Sequence, residues 1–260
     1  MATGKEHATT ENIRELYESM SNGGITADWL DESVRSLITK PALGKDIGAY
    51  SWGELVALAN DPSVAAGDMA YLIGQTRSIT LTGYGNHDFQ LIGIGADKPA
   101  SGTSKLLTFQ SVDIITTRAM NSSNVTTGGW GGSAMRTWLN GTFLAAFPKY
   151  VRDVIKPVRK QYAATKGGTL ATSTDSLFLL SEMEVFGTKT SQTTAEGTHY
   201  AHWSQNNSDG ARVKKLNGSA YLWWLRSVSS ETDFCVVYNG GRLLGYYASN
   251  AYGVAPGFCI

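Results

Sequence analysis

The chain has 260 residues, 42% hydrophobic and 10% aromatic, enough to build a sizeable core and too apolar for a disordered chain. Lys+Arg and Asp+Glu each number 22, a formal net charge of +0, which excludes the basic footprint of a nucleic-acid or anionic-membrane binder. Charged residues make up 17%, below the roughly 25% usual in soluble proteins, so Gly, Ser, Thr and Asn must supply much of the polar surface.

Residues 1–45 read as a helical segment. Ile13, Leu16, Tyr17 and Met20 recur at helical spacing behind Thr9 and Thr10, which suit a cap. "SNGG" interrupts the pattern, and Trp29, Leu30, Val34, Leu37 and Ile38 predict a second helix that stops before Pro41. The apolar stripe is narrow, so the pair is read either as an appendage for homo-oligomerisation or attachment, or as two helices packed on the main domain. The segment lacks the apolar stretch of a secretory signal. No run of about 18 apolar residues, the length a bilayer needs, occurs in the chain. A cytoplasmic protein, or one that leaves the cell without a signal peptide, is expected, with no membrane insertion.

From residue 46 the pattern changes. "SWGELVALAND" predicts a short capped helix that ends near Pro62. Strand-like runs follow in "MAYLIGQTRSITLTG", "DFQLIGIGADK" and "KLLTFQSVDIITTRAM", separated by turns. After the Gly- and Ser/Thr-rich stretch 122–132, Ser133 caps a predicted helix with Met135, Trp138, Leu139, Phe143 and Leu144 on one face. "PKYVRDVIKPV" adds a helical turn or two, halted by Pro157. "DSLFLLSEMEVFG" is apolar enough for a buried strand, a long polar excursion follows, and "AYLWWLRSV" predicts a strand of large side chains. Short strands with a few helices and no βαβ alternation predict an α+β domain over 46–260. Trp138, Phe178, Leu180, Trp224 and Leu225 are expected in its core.

Catalytic motifs are thin. There is no GxSxG, P-loop, HExxH or GxGxxG. Glu196, His199 and His202, with Asn206, Asn207 and Asp209, offer too few carboxylates for calcium and read as solvated loop residues. Glu182 and Glu184 read as a strand end carrying two solvated carboxylates. Cys235 and Cys259, without a CxxC, read as buried free thiols. No catalytic residue, cofactor or metal is expected.

The stretch "FCVVYNGGRLLGYYASNAYGVAPGFCI", 234–260, places large side chains among Gly, Asn and Ser with neither strand nor helix period. In order, "GGWGGSAMRTWLNGTF", "DSLFLLSEMEVFG", "EGTHYAHW", "YLWWLRS" and "GVAPGFCI" resemble C-type-lectin-like domains of gut bacteria and their phages, over roughly Tyr50 to Ile260. Some members of that family are variable proteins of diversity-generating retroelements, and "ASNAYGVAPGFC" looks like the end of a variable repeat.

The resemblance implies a small twisted antiparallel sheet, two main helices and extensive irregular loops. It also implies a variable region at about 228–252. There Val228, Glu231, Asp233, Val236, Tyr238, Arg242, Leu243, Leu244, Tyr246, Tyr247 and Tyr252 would share one solvent-facing, ligand-binding surface. Glu231 is unreachable from an AAC codon by adenine changes, so it would come from another codon or be fixed in the template. The partner implied is a protein or glycan on a host or cell surface. The setting implied is a phage tail, attached through the N-terminal helices, or another surface adhesin. Two other readings stay open at this point: an undiversified structural domain of a prophage or surface assembly, and an enzyme of the formylglycine-generating type, which needs a reactive cysteine pair.

Overall fold

A computed structural model describes residues 43–192 and 194–260; the two N-terminal helices expected from the sequence lie outside them. Helix α1 (Trp52–Asn60) opens on Ser51, whose hydroxyl accepts from Glu54 N while the Glu54 carboxylate accepts from Ser51 N. This reciprocal cap satisfies amides that the first turn leaves without partners. The helix buries Trp52, Leu55, Leu58 and Ala59.

Strands β1 (Thr76–Leu81), β2 (Gly85–Ile94), β3 (Lys98–Pro99), β4 (Leu107–Ser111) and β5 (Thr116–Arg118) follow. The next helical stretch begins with α2 (Gly129–Gly132) and α3 (Ala134–Trp138), the latter capped by Ser133. It runs on through a π turn and a 3-10 turn to Ala146, then to α4 (Lys149–Arg152). Then come β6 (Val158–Ala163), β7 (Leu170–Asp175), β8 (Leu177–Phe178), α5 (Glu182–Phe186) and α6 (Ala201–Gln205). The final third is strand: β9 (Lys214–Leu216), β10 (Ser219–Tyr221), β11 (Trp223–Val228), β12 (Asp233–Val237), β13 (Leu243–Tyr247), β14 (Tyr252–Val254) and β15 (Gly257–Cys259).

The arrangement is mixed, mostly antiparallel sheet with a few short helices, as an α+β chain requires. One sheet has the order β1-β2-β4-β15-β8, all antiparallel. The other five-stranded sheet has the order β13-β12-β11-β14-β5, with β11 and β14 parallel. Smaller sheets join β3-β6-β7 and β9-β10. Phe258 of β15 stacks on Phe109 at 5.4 Å and meets Phe89, Phe147 and Trp52 within about 6 Å, so the "GFCI" segment sits in the aromatic core.

Phe178, Leu180, Trp224 and Leu225 are buried as expected. Trp138 is only half-buried: its ring packs on Phe143 at 4.8 Å and carries the Arg118 guanidinium at 4.8 Å on its outer side. The run 175–187 is not one strand. It breaks after Phe178 because Ser181 and Glu184 form a second reciprocal cap that starts α5. Glu182 and Glu184 are therefore buried rather than solvated. The polar excursion after them is also partly interior, with Glu196 and His202 buried.

Candidate ligand-binding surface

The register of the C-terminal sheet decides which side chains share a face. Trp224 lies opposite Val236, Val236 opposite Leu244, and Phe234 opposite Tyr246. Side chains alternate along a strand, so these five leave on one face. Trp223, Val237, Leu243 and Cys235 leave on the other. Over the first face runs a chain of rings. Tyr252 packs on Trp224 at 5.2 Å, Tyr246 meets Tyr252 edge-on at 5.2 Å, and Tyr238 lies parallel to Tyr246 at 6.3 Å. Asn250 Nδ2 donates to the Tyr252 hydroxyl at 2.9 Å, and Trp224 Nε1 donates to Arg118 O at 2.8 Å. Partial burial, then the neighbouring Tyr238 and Tyr252 hydroxyls, push the Tyr246 phenol up.

Of the residues expected to face solvent, Glu231, Arg242, Leu244 and Tyr247 are exposed, the last two at 44% and 53%. Asp233, Tyr238, Leu243, Tyr246 and Tyr252 are half-buried. Val228 and Val236 are fully buried and do not belong to the set. Val236, in β12 between β11 and β13, and Val228, at the end of β11 opposite Phe234, both pack into the hydrophobic core. The remaining nine do not form a single face. Leu244 and Tyr246 point one way and Leu243 and Tyr247 the other, because β13 keeps its pleat. Four of the nine, Leu243, Leu244, Tyr246 and Tyr247, lie on β13, the outermost strand of its sheet, and Tyr252 of β14 joins them only through its ring contact with Tyr246.

The backbone of this edge is held without help from the exposed side chains. Tyr238 N donates to Arg242 O and Gly241 N to Tyr238 O, each at 2.7 Å. Gly241 has φ +88°, and a Cβ there would stand 1.7 Å from Asp209 O, so only glycine closes this turn. Ser229 N donates to Asp233 O, Ala248 N to Thr232 O, and Thr126 N to Glu231 O. The Ser230 hydroxyl accepts from the amides of Thr232 and Asp233.

Beneath the sheet lies an ionic cluster that sequence reasoning missed. Arg226, in the middle of β11 and completely buried, grips both Glu184 oxygens, at 2.5 and 2.9 Å. It also donates to the carbonyls of Gln161, Leu179 and Glu196. Lys160 donates to Glu184 Oε1 at 2.6 Å, Asp97 Oδ1 at 2.7 Å and the Tyr200 hydroxyl at 2.9 Å. Burial opposes ionisation of Asp97, yet the Lys160 charge and the bonds from Lys160, Thr108 and Tyr200 hold its carboxyl below the usual range. Burial, then Asp97, pushes the Tyr200 phenol well up. Burial likewise raises Glu196, against the pull of Arg226 and Ser227.

The two cysteines sit in different sheets, Cys235 in β12 and Cys259 in β15, both free and buried. Burial raises both thiols far from the thiolate range. Among the described residues no three His, Cys, Asp or Glu side chains gather as metal ligands would. Among the same residues no helix is long and apolar enough to cross a membrane.

Residues 103–260, more than half of the chain, match the family described as a domain of unknown function, DUF6273, and the chain belongs to that family. No curated protein and no solved structure matches it.

Proposed function

We propose that this chain is a ligand-binding display protein of the C-type-lectin-like kind, with β13, its turns and the Tyr238, Tyr246 and Tyr252 rings recognising a protein or glycan on a cell surface. The observation that carries this reading is the division of labour in residues 229–252. Main-chain bonds and groups such as Thr126 and Ser230 hold the backbone, while Leu244 and Tyr247 are exposed, Tyr246 is half-exposed and Arg242 pairs, among the described residues, only with the exposed carboxylate of Asp209. Such an edge tolerates exchange of its side chains, as diversification by a retroelement demands, and tyrosines give large contact area at low entropic cost. A phage tail or another surface assembly is the setting we favour. The burial of both thiols in separate sheets supports this reading over an enzyme of the formylglycine-generating type.

The test is a saturation library over Glu231, Arg242, Leu244, Tyr246, Tyr247 and Tyr252, sorted first for folding and then for binding to a panel of gut bacterial cells and a glycan array. Most members should fold, and those binding a given target should share residues at these positions. Sequencing the locus should reveal a near-copy of codons 228–260, rich in Asn codons, beside a reverse transcriptase gene. A library that folds only with the present residues would refute display. A locus without the near-copy would leave an undiversified binding domain.

A further inference from the structure

A second site lies on the β3-β6-β7 sheet, away from the exposed tyrosines in sequence and in sheet. Lys98 in β3 stands directly opposite Arg159 in β6, so the two side chains leave the sheet on the same face, and both are exposed. Like charges opposed across a strand pair repel. Among the described residues neither has an ion-pair partner. Both line a cavity of about 330 Å3, together with Asp97, Lys160, Gln161 and Tyr200.

The inner wall of that cavity is already balanced. Lys160 holds Asp97 and one oxygen of Glu184, and Arg226 holds Glu184 from behind. The charges left over are those of Lys98 and Arg159, both positive. Gln161, two residues beyond Arg159 and so on the same face, is exposed and adds an amide donor. Lys98 and Arg159 also border a wider cavity of about 590 Å3 along the Ser101–Lys105 loop, which leaves room for the body of a larger molecule.

We propose that this cavity binds a small molecule bearing an oxyanion, phosphate or carboxylate, held between Lys98 and Arg159. Arg159 Nη2 donates to Ala100 O at 3.1 Å, which fixes the planar guanidinium beside the cavity and leaves its other donors for anion oxygens, and Lys98 supplies a point charge. The bound anion removes the repulsion that the empty pair carries.

The experiment is amide NMR of the full chain at constant ionic strength, with sodium chloride replaced stepwise by inorganic phosphate or by succinate. Amides of 97–100 and 159–161 should shift saturably with at least one of the two, and which one does so separates phosphate from carboxylate ligands. Lys98→Gln should weaken that binding roughly tenfold or more, the loss of one charge-assisted bond. In chloride alone, Lys98→Gln should melt above the parent protein, since a like-charge pair is gone. Shifts that never saturate, unchanged affinity in the variant, or a lower melting temperature without anion would each overturn the proposal.

Discussion

Arg226 and Glu184 are the residues on which the interior depends most. A buried guanidinium bonded to both oxygens of one carboxylate, with its remaining donors on carbonyls, leaves no charge without a partner. Arg226→Met would leave buried Glu184 with Lys160 as its one cationic partner and remove a charged donor from the carbonyls of Gln161, Leu179 and Glu196. Removing one member of such a pair costs about 3–5 kcal/mol, and the urea midpoint should fall accordingly. The pH response also belongs to single residues. Burial, then the Lys214 charge, lowers His202 to about 4, below its unfolded value of about 6.5. The unfolded state therefore binds the extra proton first, and this stability is present above pH 6.5 and lost as pH falls toward 4. Burial lowers Lys214 to about 7, with Asp113 opposing. The penalty for charging it is complete below pH 7 and is relieved as pH rises from there. The melting temperature should thus climb from pH 4 to about 8, and His202→Gln should flatten its acidic limb.

At the scale of the element, β13 and its turns separate exposed side chains from the framework beneath them. Replacing both Tyr246 and Tyr247 by Ser removes the ring contacts of a half-buried edge and should cost about 1–2 kcal/mol, while abolishing binding to any target the library identifies. Trp224→Ala, in the centre of the same sheet, should cost about 3–5 kcal/mol as a large-to-small core change. Gly253 in β14 is less forgiving still: a Cβ there would stand 2.6 Å from Leu222 O and from Ile114 Cδ1. Gly253→Ala should lower the melting temperature sharply, whereas substitutions at exposed Glu231 should not.

The helices of 52–60 and 134–146, the "WWLRSV" strand and the closing "GFCI" strand were legible because period, caps and composition agree locally. α5 was not, although Ser181 and Glu184 carry the S-x-x-E signature of a cap; the four apolar residues before them weigh toward strand. Arg226 inside a run of large apolar residues demanded a carboxylate. Its partner, however, lies 42 residues away, and no local pattern points to it. Val228 and Val236 were misplaced for a related reason. Which side chains of a strand end up covered depends on what packs over its faces, which local spacing does not contain.

At the scale of the molecule, the C-terminal residues tie two sheets together. β14 pairs with β11 and β5, and β15, three residues on, lies between β4 and β8. Deleting Gly257–Ile260 should expose the Phe89, Phe109 and Phe147 rings and leave β4 and β8 without their shared neighbour, giving a chain with no cooperative thermal transition. The position of β15 has a consequence for synthesis. A ribosome that slips frame or stops anywhere in the codons for the exposed edge never delivers Phe258 to its socket. Folding thereby acts as a checksum on the message, passing substitutions at the exposed positions while rejecting every insertion or deletion that loses the reading frame.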